Sequence, residues 1–209
     1  MTKTRRHHYF IVSLPRSRTA WLSTLLTWGR SFCYHEALFR MSPHELKETF
    51  DAMPNSILHA GDSDPGLYQH GEAILELFPT AKFVFIFRPL TECVQAEYRA
   101  MKEDPSPEYA KVKLEDVENG MREADEEMRA LLAALPVERV RQYWYDHLDL
   151  EKTIRDIWTF LLPGMAFPER RYMEIDNFRV TQIFSKVMRK YPRVNLHEGV
   201  LERQTANAG

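Results

Sequence analysis

Residues 15–19 read Pro-Arg-Ser-Arg-Thr, where an apolar run from Tyr9 to Leu14 gives way to Trp21, Leu22, Leu25, Leu26 and Trp28 at helical spacing. The start of a helix carries backbone N–H groups without partners and the positive end of the helix dipole, so it favours an anion. Arg16 and Arg18 add charges that do not titrate near neutral pH, and Ser17 and Thr19 add hydroxyl donors. Phosphate or sulfate is the natural guest of such a turn. The same residues also suit a basic surface turn in which Ser17 or Thr19 only caps the helix, and this stretch alone leaves both readings open. The ATP-binding pattern GxxxxGK[ST] is absent, since residues 9–28 contain neither glycine nor lysine. His35-Glu36-Ala37-Leu38-Phe39 is not a zinc-binding HExxH either, because its fifth position is phenylalanine.

The elements that would hold this turn are legible from periodicity. Residues 9–14 and 82–87 (KFVFIF) predict buried strands, 56–60 (SILHA) a short strand leading into a turn GDSDPG, and 138–144 a weaker strand. Helices are expected over 19–29 with Gly29 just past the end, and from the capping box Ser42-Pro43-His44-Glu45. Further helices are expected over 67–78, from Arg88-Pro89 to about 102, and over 151–162 and 177–190. Residues 114–135 predict a long acidic helix with a solvated face. Strands alternating with helices imply an α/β domain, a central parallel sheet with helices on both faces. In that architecture ligands bind beyond the C-terminal ends of the strands, where both the 15–18 turn and Arg88 fall.

The whole chain sets outer bounds. Its 209 residues suit one domain, expected over 1–194 with a polar tail over 195–209. A formal charge of −2 argues against a general nucleic-acid binder. Two cysteines without CxxC spacing fit a reducing compartment, and the N-terminal apolar run is too short for a signal-peptide core or a membrane span. A cytoplasmic protein without a membrane partner is the expectation.

The turn resembles the phosphosulfate-binding loop of sulfotransferases, a strand followed by P-[KR]-S-G-[TS]-[TS]-[WL]-L. Pro15, Arg16, Ser17, Thr19, Trp21 and Leu22 match; Arg18 replaces the family glycine and Ala20 a hydroxyl residue. A second family motif, an arginine at a later strand end and then a helix bearing a serine, is half present. Arg88 ends KFVFIFR, while Ala96 stands at the serine position with Gln95 and Arg99 as substitute donors. Glu36, twenty residues after Arg16, matches the glutamate base of one branch, with His35 as the alternative base. The Lys-Asp-Pro of that branch is Ser63-Asp64-Pro65, so a lysine at the leaving phosphate is missing and Arg18 is a candidate replacement. Tyr145, Asp146 and Leu148 resemble a later RYEDL segment.

The resemblance implies a P-loop NTPase-like sulfotransferase fold. It implies a donor, 3′-phosphoadenosine 5′-phosphosulfate (PAPS), the product 3′,5′-adenosine bisphosphate (PAP) and no metal. The donor site would comprise Arg16, Ser17, Arg18, Thr19, Ala20, Trp21, Arg88, Gln95, Ala96, Arg99 and Tyr145, although Trp21 also suits a core position. Catalysis would fall to Glu36 or His35 with Arg16, and the acceptor would be a small-molecule, carbohydrate or peptide hydroxyl, or an amine. Two other readings share the α/β plan, a nucleotide kinase or other phosphotransferase and a non-catalytic adenosine-bisphosphate-binding module.

Overall fold

A computed structural model describes residues 6–177. The helix expected over 177–190 and the tail over 195–209 lie outside the described residues. Five parallel strands form one sheet: β1 (His7–Ser13), β2 (Ser31–His35), β3 (His59–Asp64), β4 (Lys82–Phe87) and β5 (Val140–Trp144), in the order β2-β3-β1-β4-β5. The helices are α1 (Thr19–Leu26), α2 (Pro43–Ala52), α3 (Gly71–Leu77), α4 (Leu90–Glu103), α5 (Pro107–Ala110), α6 (Leu114–Ala133), α7 (Glu151–Leu161) and α8 (Glu169–Asn177).

Alternation along the strands splits the core in two. Phe10, Val12, Phe32, Phe83 and Phe85 face one side, where they pack with Phe50 of α2, Ile74 of α3 and Met128 of α6. Tyr9, Ile11, Val84 and Ile86 face the other side, under Trp21 and Leu25 of α1 and Trp158 of α7. Gly61 in β3 is required by this packing, since a Cβ there would sit 2.2 Å from the Tyr9 ring. The capping box at Ser42 forms as expected, with the Ser42 hydroxyl accepting from the Glu45 N–H.

Three expectations need correction. Residues 61–64, expected as a turn, continue β3, because pairing with β1 and β2 on both sides outweighs the poor strand propensity of Gly-Asp-Ser-Asp. β2 was not expected at all; its alternation of Phe32 and Tyr34 against Cys33 spans only five residues. Gly29 does not end α1: Thr27 does, and its hydroxyl both donates to the Cys33 carbonyl and accepts from the Cys33 N–H, while Gly29 turns the chain with φ 59°. α6 is acidic outside, as expected, but buries Val117, Met121, Ala124, Met128 and Leu131 at helical spacing.

Candidate active site

The loop after the central strand β1 is built on two left-handed residues. Arg16 has φ 66° and Arg18 φ 63°, a region that costs a side chain roughly 1–2 kcal/mol and that glycine enters freely. At residue 18, where the family motif has glycine, the positive φ is adopted by an arginine. Arg18 is the N-cap of α1 but its side chain caps nothing. Its carbonyl accepts the Leu22 N–H, leaving the N–H groups of Thr19, Ala20 and Trp21 without an acceptor among the described residues. Ser17 is fully buried, and its hydroxyl has the thiol of Cys93, a weak partner, as its polar neighbour among the described residues.

Three arginines surround this cradle, each with an acidic partner. Arg16 Nε donates to Glu97 Oε2 at 2.7 Å. Arg18 pairs with Asp149 Oδ1 at 2.6 Å. Arg88 pairs with Glu92 at 3.1 Å, and its second nitrogen donates to the Arg16 carbonyl at 2.8 Å, tying the end of β4 to the loop. Tyr145, just past β5, faces the guanidinium of Arg88 at 4.4 Å and that of Arg18 at 5.2 Å from its ring centroid. Arg18 thus points toward the β5 side of the loop. Ser63, the position whose lysine it was expected to replace, lies at the end of β3, on the other side of β1.

On that β3 and β2 side stand His35 and Glu36. His35 Nε2 lies 3.1 Å from the Thr19 hydroxyl and 3.6 Å from Glu36 Oε1. Burial, helped by the charge of Arg40, lowers His35 to a pKa of about 4, so the imidazole is neutral at physiological pH. Glu36 is the third left-handed residue, φ 57°. Burial raises its pKa above the usual carboxylate range, against the opposing charges of Arg16 and Arg40. A carboxylate of raised proton affinity next to an anion cradle can take a proton from a hydroxyl bound between them.

The remaining expected residues take different places. Trp21 is buried, edge-on to Tyr172, and Ala20 is buried beside it, so both contribute to the cradle through the backbone. Ala96 is half-buried on α4, whereas Gln95 and Arg99 are exposed. Each of these two lies about 160° around the helix axis from Glu97, which faces the loop. Sequence reasoning missed the acidic partners Glu97 and Asp149 and the buried pair Asp62 and Asp64. Glu92, four residues after Arg88, was legible as a helical ion pair. The two aspartates were hidden because Gly-Asp-Ser-Asp reads as a turn, and Asp64 entered only as part of Ser63-Asp64-Pro65.

The family model described as "Sulfotransferase family" matches residues 34–169, which begins after the 15–18 loop. No curated protein matches the chain in sequence. Among solved structures, it is similar to a sulfotransferase from Alicyclobacillus acidocaldarius, with a TM-score of 0.60 at 13% identity over 90% of this chain and 97% of that one. The sulfotransferase STF1 from Mycobacterium tuberculosis superposes with a TM-score of 0.61 at 12% identity, over 83% of this chain and 72% of that chain. Mouse sulfotransferase SULT7A1, solved with PAP, gives 0.55 at 14% identity over 82% of this chain and 63% of that chain. At these identities the likeness is one of fold.

Proposed function

The chain belongs to the sulfotransferase family, and from that premise we propose that it moves a sulfuryl group from PAPS to a hydroxyl or amine acceptor. The observation that carries this reading is the first turn of α1, whose Thr19, Ala20 and Trp21 N–H groups have no acceptor among the described residues and have Arg16, Arg18 and Arg88 around them. Unanswered donors are costly, and the oxygens of one anion answer them. The donor supplies the electrophilic sulfur and a phosphate leaving group; binding, orientation and proton removal fall to the protein.

Ser17, Thr19 and the first-turn N–H groups of α1 hold the phosphosulfate end, with Arg16 beside them. Arg88 and Arg18, both against the ring of Tyr145, hold the second phosphate of the nucleotide. This assignment moves the charge of Arg18 from the leaving group, where the missing lysine would have placed it, to the nucleotide. Glu36 accepts the proton of the attacking hydroxyl. The neutral His35, held to the Thr19 hydroxyl, orients Glu36 toward the loop.

Thermal shift tests the donor. PAP binding only the native state raises the melting temperature, by about 2.7 kcal/mol of stabilisation at one hundred times its Kd. The expected outcome is stabilisation by PAP and none by ATP with Mg²⁺; the reverse pattern would sink the reading.

A further inference from the structure

β3 ends in two carboxylates that the reaction does not use. Asp62 is fully buried and Asp64 3% exposed, and neither forms an ion pair among the described residues. Both lie on the side of the sheet under the turn Ala37–Phe39. Asp62 Oδ1 accepts the Ala37 N–H at 3.3 Å, and Asp64 Oδ2 accepts the Leu38 N–H at 3.1 Å. Between them the Ser63 carbonyl accepts the Glu36 N–H at 3.2 Å. Three successive amides, those of Glu36, Ala37 and Leu38, are therefore fastened to three successive residues of β3. The second oxygen of Asp64 accepts the Gly66 N–H at 2.7 Å, whereas the second oxygen of Asp62 has no hydrogen-bond partner among the described residues.

Burying two carboxylates this close together is expensive, and both have raised proton affinity, chiefly through burial. What they hold is short: a three-residue turn whose first neighbour, Glu36, is in the left-handed region. A strained residue of this kind persists only where its surroundings over-determine it. The lacing supplies that determination.

We infer that Asp62 and Asp64 are positioning residues that hold Glu36 in its left-handed conformation with its carboxylate toward the cradle. The inference rests on the reading of Glu36 as the base. Arg16, Arg40 and Glu97 also face Glu36 electrostatically, His35 lies against it, and Asp62 and Asp64 act on it by charge as well. A changed Glu36 titration therefore counts only where exchange at residues 36–38 changes with it and Asp62→Asn, which removes the charge but keeps the acceptor, does not reproduce it.

Hydrogen exchange and ¹³C NMR of glutamate-labelled protein test it without knowledge of the acceptor. Asp62→Ala is expected to raise exchange of the Ala37 amide at least tenfold. Asp64→Asn, which leaves one acceptor for two donors, is expected to do the same at Leu38 or Gly66. Asp62→Asn keeps the acceptor and is expected to retain protection at Ala37, which also guards against a misfolded alanine variant. In Asp62→Ala and Asp64→Asn the Glu36 carboxyl resonance, identified by its loss in Glu36→Gln, is expected to titrate at a changed midpoint, with PAP affinity within twofold of the parent. Unchanged exchange at residues 36–38 with an unchanged Glu36 resonance overturns the inference, as does a loss of PAP affinity in step with the exchange, which would mark a general loosening. The base reading fails separately: Glu36→Gln would then release PAP from PAPS at the parent rate with phenol, hexose or amine acceptors, whatever the exchange data show.

Discussion

The two ends of the sheet treat charge in opposite ways. Helices that cross back over a parallel sheet put their C-termini, with unanswered carbonyls, at the N-terminal end of the strands. There the cations are spent on backbone. Arg6 donates to the carbonyls of Phe50, Met53, Pro54 and Ile57 around the end of α2. Arg139 donates to those of Phe78 and Ala81 after α3, and Lys82 to that of Phe160 in the last turn of α7. At the opposite end Arg16, Arg18 and Arg88 pair with carboxylates, and the N–H groups of Thr19, Ala20 and Trp21 have no acceptor among the described residues. One end is closed by its own side chains. The other is left open. The difference teaches that the arginines of the site are held in place by Glu97, Asp149 and Glu92 without being consumed by them.

The largest effect comes from breaking the closed end. Arg6→Ala strands four carbonyls at the end of α2. With charged hydrogen bonds contributing about 1.5–3 kcal/mol each and some carbonyls regaining water, a net loss of about 3 kcal/mol is expected. For a chain of this size that lowers Tm by roughly 6–12 °C. PAP affinity should not move. A loss of affinity as large as the loss of stability would erase the distinction between the two ends.

Arg18→Gly sharpens the comparison from the open end, because its two effects have opposite signs. Glycine relieves the φ 63° strain, roughly 1 kcal/mol, while the lost pair with the exposed Asp149 contributes little. Tm is expected to rise by about 2–4 °C for each kcal/mol relieved. PAP affinity is expected to fall about tenfold, one charged hydrogen bond. Calorimetric titration and a melting curve on the same sample read both. A rise in Tm without a loss of affinity would make Arg18 a structural residue that merely stacks on Tyr145.

Of this contrast only the open end was legible in the sequence, and the reason is physical. The strands 9–14 and 82–87 and the basic, hydroxyl-bearing turn between strand and helix are local patterns, so periodicity and composition expose them. The family glycine marks residue 18 as a position where a positive φ is tolerated without requiring it, and the other left-handed arginine, Arg16, has no such marker. β3 was cut short because Gly-Asp-Ser-Asp reads as a turn until two neighbouring strands and a laced turn are there to satisfy it. The acidic partners of the arginines escaped for a related reason: Glu97 and Asp149 reach the loop from 81 and 131 residues away, and only the fold sets them beside it. The half-present second motif led to Gln95 and Arg99 as donors, whereas the helix turns Glu97 inward instead.

The closed end is flawed at His8 and His59, whose buried ring nitrogens have no partner among the described residues, and His8 gives the smallest effect. His8 stacks on Phe50 and meets Phe78 edge-on, and burial lowers its pKa to about 4. The unfolded chain, with an ordinary histidine near 6.5, takes up a proton that the folded state refuses. The stability this histidine contributes is therefore full above about pH 6.5 and is lost as pH falls toward about 4. His59 and His35, lowered in the same way, add to that slope, while Asp62, raised in the folded state, opposes it by holding a proton that the unfolded chain releases. Because these contributions overlap, the useful measurement is a difference between proteins. His8→Phe keeps the ring contacts and removes both the titration and the orphaned nitrogen. Melting curves at pH 7 and pH 5 are expected to show the variant ahead of the parent at both, by a wider margin at pH 5. Parallel losses in the two proteins would clear His8 of the acid slope and leave it to His59 and His35, the second of which belongs to the open end.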